Sequence, residues 1–247
     1  MEFIIFLTFF TATILSSMSG AGTSIITIPV LFSLGVNLPT SIAINQICGA
    51  FWVLPASFNY LKDRKIDWYF LLIFTLIGLV GVFMGVSTNI HIKQRYLEII
   101  IGTIIIFLVL YTYLNKSLGL KETKAKHSPL RSFLIYPFSI ILGFYEGFFG
   151  SGNGILFSIS TFYTKGFDFI DALGHYYIVA FFWVIFSTIL YAQNGYYNLQ
   201  ITFPAVIGAI LGGFIGSKFG KLKGNKIIKQ IFILLGLFLG LKLIIGF

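Results

Sequence analysis

Charge is scarce in this chain. Only 10% of its 247 residues are charged, and just eight are acidic. A water-soluble domain carries about a quarter charged residues, so this composition cannot clothe a solvated surface. Cysteine is scarcer still. Cys48 stands alone inside an apolar stretch, which excludes an intrachain disulfide and a thiolate metal cluster. It reads as a small packing residue. No metal site of His and acidic residues is expected, and neither a nucleophile elbow nor an ATP-binding loop occurs. These absences argue against an enzyme and an ATP-driven pump, and no cofactor is expected.

What is present is apolar surface. Hydrophobic residues make up 57% of the chain and fall into eight runs, about 2–34, 38–61, 68–89, 96–114, 131–163, 169–192, 199–217 and 227–246. Runs near 20 residues that recur with short polar breaks predict an all-α polytopic membrane protein. One transmembrane domain then occupies 1–247. The first run lacks a basic leader and leads directly into a glycine motif, so it reads as mature membrane segment rather than signal peptide. The net charge of +9 is scattered over loops flanking apolar runs. That pattern points to the lipid bilayer as partner and away from nucleic acid. A homodimer stays open.

The first and fifth runs are about 33 residues long, roughly 50 Å as helix against a hydrocarbon core of about 30 Å. Each is interrupted by glycines, in GAGTSIITIP (Gly20 to Pro29) and GFFGSGNGILFS (Gly147 to Ser158). Broken or re-entrant segments are therefore expected. The halves also match: Gly20, Gly22 and Phe32 pair with Gly150, Gly152 and Phe162, Ala43 with Ala172, and Tyr60, Gly81 and Gly85 with Tyr191, Gly212 and Gly216. Order and spacing predict two homologous four-segment repeats, about 1–114 and 131–247, joined by a cytoplasmic linker over about 115–130.

Charge then discriminates between topologies, because Lys and Arg collect on the cytoplasmic side. If all eight runs cross once, Lys62, Arg64, Lys65, Lys116, Lys121, Lys124, Lys126, Arg131 and Lys242 oppose the other eight basic residues, nine against eight. If runs one and five return to the side they came from, fourteen basic residues gather on one side and only Lys93, Arg95 and Lys242 face them. The sorting depends on run five; reversing run one rests on the repeat and on its matching length. The two halves are then inverted in the membrane. Eight plain crossings with weak charge bias are the alternative.

Glu146 is the one acid set inside an apolar run. It is a candidate for proton coupling, and equally a group that caps a broken helix. Backbone N–H groups of Gly20, Gly22, Thr23 and Ser24, and of Gly150, Ser151, Gly152, Asn153 and Gly154, are candidates to hold an anion at the start of a half-helix. Asn45, Gln46 and His175 follow the two breaks and complete the candidate substrate site, unless they serve only helix contacts. No Lys or Arg lies in the middle of a run, so such a site suits a small oxyanion that must also be released.

GAGTSIITIPVLFSLGVNLPTSIAINQ and GFYEGFFGSGNG resemble the two glycine motifs of the sulfite exporter TauE/SafE family, the TSUP transporters. The second is most similar to the YfcA-like branch, whose pattern is GFYDGFFGPGxG. The resemblance spans nearly the whole chain. It implies a polytopic carrier of two repeats, in the plasma membrane of a bacterial or archaeal cell, for sulfite, small organic sulfur compounds or other anions. The chain departs from the pattern where Gln46 and Tyr177 replace basic residues and where Ser16 or Ser17 replaces the acid of the first motif. The resulting expectation is a secondary transporter of a small anion, sulfite or an organosulfur or organic anion, by alternating access with proton coupling. An anion channel is the alternative.

Overall fold

The computed structural model describes residues 2–91, 95–114, 120, 129–150 and 152–246. Most of the linker expected over 115–130, and Ser151, lie outside the described residues. The described residues form α1 (Glu2–Ser19), α2 (Ser24–Ser33), α3 (Leu38–Leu61), α4 (Trp68–His91), α5 (Arg95–Leu114), α6 (Pro129–Phe148), α7 (Asn153–Lys165), α8 (Phe169–Gln193) and α9 (Leu199–Ile245). Five stretches, Glu2–Ser19, Pro39–Leu61, Trp68–Ile90, Phe169–Gln193 and Leu199–Lys242, are long and apolar enough to cross a membrane.

Both overlong runs are broken where the glycines fall. Gly20 and Gly22 adopt φ of 72° and 83°, and Gly150 and Gly152 adopt 68° and 85°. Side chains disfavour that left-handed region by about 1–2 kcal/mol per residue, so glycine permits each break. The basic stretch 218–226, expected as a loop between two runs, is instead helical apart from Gly224 (φ 77°, ψ 176°). At 47 residues α9 would span about 70 Å if straight, and Gly224 bends it into two arms.

After its break, α7 runs back along α6. Phe70 at the start of α4 stacks within 6.1 Å of both Tyr136 of α6 and Phe157 of α7. Lys165 at the end of α7 reaches Asp67 at 3.0 Å. The two helices thus form a hairpin whose open end lies beside the α3–α4 loop. Helix α1 lies parallel to the first arm of α9, where a Cβ on Gly212 would come 2.4 Å from the Phe10 carbonyl oxygen and one on Gly216 2.4 Å from that of Ile14. Helix α6 lies the same way along α4, with Cβ positions on Gly81 and Gly85 each 2.0 Å from the Ile140 and Phe144 carbonyl oxygens. The register that pairs Gly20 with Gly150 also pairs Phe10 with Ile140 and Ile14 with Phe144. One contact is therefore built twice, each time with a helix from the other half.

Between these pairs, α3 and α8 cross in opposite directions, joined by Trp52 against Tyr177 (5.1 Å between rings) and by Ser57, whose hydroxyl donates to the Gly174 carbonyl at 2.9 Å. Lipid tails are as apolar as Leu, so close packing and hydrogen bonds rather than water exclusion hold such helices together. The exposed side chains fit that solvent: Phe58, Leu72, Phe107 and Phe203 are all more than half exposed.

A polar clamp closes the end of the bundle where the α3–α4 loop lies. Arg64 bridges Asp168 at 3.0 Å and Asp171 at 2.7 Å, and Asn225, just past the α9 bend, donates to Asp168 at 3.0 Å. Asp168 also caps α8 through the Asp171 N–H at 2.8 Å. Loop residues of the first half thereby grip the start of α8 through Arg64, the end of α7 through Asp67, and α9 through the Lys62 carbonyl, which accepts from the Lys221 ammonium at 2.6 Å. Partial burial pushes the Asp67 carboxyl upward, but the Phe70 N–H and the Lys165 ammonium outweigh it and hold it below the usual carboxylate range.

Gly81→Ala and Gly212→Ala should each cost about 1–3 kcal/mol through overpacking, read as matching losses in thermal unfolding of the purified protein. Asp67→Asn should lower the melting temperature at neutral pH. Because the folded-state value is depressed, that difference is present above the unfolded value, about 3.9, and shrinks as pH falls through the folded one. A gap that widens on acidification would contradict this assignment.

Candidate functional site

Where the two breaks cross, the chains nearly touch. A Cβ on Gly154 would lie 2.6 Å from the Gly20 Cα, so two backbones meet with no room for side chains. Next to this crossing is a cavity of about 40 Å³ of water-accessible volume, room for on the order of three waters or a ligand of a few heavy atoms. Its polar wall comes from Thr23, Asn45, Gln46 and Glu146, and its apolar wall from Ile42, Trp52, Val53 and Val184.

A helix that stops at membrane depth leaves its last carbonyls without helical partners, and hydrocarbon offers no water to replace them. Side chains do so here. At the end of α6, Gln46 donates to the Glu146 carbonyl at 2.9 Å, Tyr191 to that of Gly147 at 2.9 Å and Asn89 to that of Phe148 at 2.8 Å. The hydroxyl of Ser24 lies 3.5 Å from the Phe149 carbonyl. At the end of α1, Tyr177 donates to the Ser16 and Ser17 carbonyls, both at 3.0 Å, and Tyr60 to Ser17 at 2.9 Å. Tyr60 and Tyr191 are a matched pair in the repeat and make matched bonds.

Of the residues singled out from the sequence, Gly20, Gly22, Thr23, Ser24, Asn45, Gln46, Glu146 and Gly150 line the cavity. Gly22, Thr23 and Ser24 lead into α2, whose first N–H groups have no helical acceptor. Asn45 is committed to seating α2: its Oδ1 accepts from Thr23 at 2.9 Å and Thr27 at 2.7 Å, while its amide donates to the Ser41 carbonyl at 2.9 Å. Glu146 is 2% exposed, and its Oε2 accepts from Asn153 at 2.7 Å and Tyr176 at 3.0 Å. No Lys, Arg or His is among the described residues around the cavity.

Gly152, Asn153, Gly154 and His175 do not line it. Asn153 turns to Glu146 and Gly154 packs under Gly20, so the start of α7 is sealed where the start of α2 is open. His175 sits in the clamp instead. Its Nε2 accepts from the Asp67 N–H at 3.1 Å and its Nδ1 meets the Asp171 carbonyl at 2.7 Å, an arrangement that requires the neutral ring with the proton on Nδ1.

Sequence reasoning missed Trp52 and Tyr176 and marked Ser16 and Tyr177 only as departures from the motif, and all four also line the cavity. Aromatic residues form 18% of the chain, so none stands out. The usable signal is the polar tip: a buried Tyr or Trp in a span needs a partner, and broken helix ends supply acceptors.

The family description "Sulfite exporter TauE/SafE" matches residues 5–243. A probable membrane transporter protein of Haemophilus influenzae is 28% identical over 246 residues, covering 98% of this chain and 93% of that protein. The probable membrane transporter protein ORF9 of a Sinorhizobium species is 23% identical over 242 residues, with 97% and 91% covered. The probable membrane transporter protein YfcA of Escherichia coli K12 is 23% identical over 234 residues, with 93% and 84% covered. No solved structure matches the chain. With both breaks and every cavity residue inside the matched span, this multi-pass membrane protein belongs to the sulfite exporter TauE/SafE family of membrane transporters.

Proposed function

We propose that the chain is a secondary transporter that carries a small anion through the cavity at the crossing of the two breaks, together with a proton on Glu146. The observation that carries this reading is the pairing of an open α2 N-terminus with a buried carboxyl in one small cavity that has no fixed cation among its described residues. Magnitudes favour joint carriage. Two negative charges about 5 Å apart repel by about 3 kcal/mol at an effective dielectric of 20, whereas a helix N-terminus returns about 0.3–2 kcal/mol to an anion. An anion therefore binds well only when Glu146 is neutral. The cavity volume suits sulfite or a similarly small organosulfur or organic anion, and the family's description supports the same class.

Alternating access in this reading is a rocking of two inverted halves, each with one hairpin and three crossings. The twice-built contact between α1 and α9 and between α6 and α4 supports that symmetry. The clamp end, where Lys62, Arg64, Lys165 and Lys221 lie, is assigned to the cytoplasm because the topology expected from the sequence gathers fourteen of the 17 basic residues on that side.

A thermal-shift screen of purified protein against sulfite, thiosulfate, sulfoacetate, sulfate and simple carboxylates should identify a stabilising anion. In proteoliposomes its uptake should saturate and rise with a pH gradient. Glu146→Gln should reduce the gradient-driven component at least about tenfold, the size of a lost 1.4 kcal/mol coupling. Undiminished gradient-driven uptake in that variant removes Glu146 from the mechanism.

A further inference from the structure

We propose that the Tyr176 hydroxyl is the positioning group through which an anion in the cavity brings a proton to Glu146. This rests on the transporter reading above and assigns its coupling to one side chain. A phenol has one hydrogen to donate. Tyr176 directs it to Glu146 Oε2 at 3.0 Å. Of the two side chains that donate to that oxygen, Tyr176 lines the cavity and Asn153 does not. Gln46 also borders the Glu146 carboxyl and the cavity, but its amide is anchored on the Glu146 backbone carbonyl at 2.9 Å, so the tyrosine is the donor a ligand can draw away.

An anion entering beside Tyr176 is a competing acceptor, and a hydrogen bond to an ionised group is roughly twice as strong as a neutral one. When the hydroxyl turns to the anion, Glu146 Oε2 loses a donor and the carboxylate faces a new negative charge. One proton then passes from solvent to the carboxylate for each anion bound. Tyr176 retains its own proton throughout, and no covalent bond changes. Linkage makes the effect reciprocal: protonation of Glu146 frees the hydroxyl and raises anion affinity by the same factor.

The surrounding groups leave this exchange to Tyr176. Gln46 donates its amide to the backbone carbonyl of Glu146, and Tyr177 directs its hydroxyl to the Ser16 and Ser17 carbonyls. Both therefore hold helix ends. Tyr145, beside Glu146 on α6, is neutral. The charged groups of the α8 start, Asp168 and Asp171, are held by Arg64 in the clamp, and His175 is bound to Asp67 and Asp171 there.

The test is calorimetric titration of the full chain with methanesulfonate and with thiosulfate, anions that stay ionised near neutral pH, in two buffers of different ionisation heat. The wild type should take up about one proton per anion. Tyr176→Phe should bind with less than about half that uptake, while Tyr177→Phe keeps it. If Tyr176→Phe does not fold, infrared difference spectra of the wild type replace it. The carboxyl band that Glu146→Gln removes and the tyrosine C–O band should then change together over one anion concentration range. Equal uptake in wild type and Tyr176→Phe, or a carboxyl change without a tyrosine change, overturns the inference and leaves the transporter reading standing. Binding of neither anion by the wild type overturns both.

Discussion

The rest of the structure depends on one constraint: backbone groups freed inside a membrane must find partners within the protein. Each such group left bare in hydrocarbon costs several kcal/mol. Helices α1 and α6 both stop short, and donors from α2, α3, α4 and α8 gather at their ends. Gln46, Tyr191 and Asn89 serve three successive carbonyls of α6, and Tyr60 and Tyr177 serve two of α1. The breaks are thus framed by side chains from both halves, and the cavity is what that framing encloses.

The two breaks are alike in backbone and unlike in chemistry. Their glycines share the same left-handed turns, yet Glu146 stands in α6 where the repeat register places Ser16 in α1. The open N-terminus also belongs to α2 alone, since the start of α7 is sealed against Gly20. One half presents N–H groups and the other presents a carboxyl. A pseudo-symmetric scaffold with an asymmetric site matches what proton-coupled anion carriage requires: an electropositive seat and a group that changes its charge.

The breaks were readable in the sequence because glycine pairs inside overlong apolar runs have few other uses, and Glu146 because an acid there is rare. The return of α7 was readable through Lys165, whose charge sorts only if the segment folds back. Other features depend on long-range pairings with no local trace. His175 looked like a substrate ligand until its acceptors and donors appeared on Asp67, 108 residues away, and on Asp171. Asn153 looked like part of an anion seat, but its amide reaches one helical turn and a break back to Glu146. Tyr176 and Trp52 were hidden by the abundance of aromatic residues around them. The expected loop over 218–226 failed because basic residues tolerate helix, and Gly224 alone supplies the bend.

In the proposed inverted arrangement the two hairpins enter the membrane from opposite faces. Single cysteines at Ser33 and Lys165, each in a Cys48→Ser background, test it with a membrane-impermeant maleimide applied to intact cells and then to permeabilised ones. Ser33→Cys should label from outside and Lys165→Cys only after permeabilisation. Labelling of both positions from the same face would contradict it.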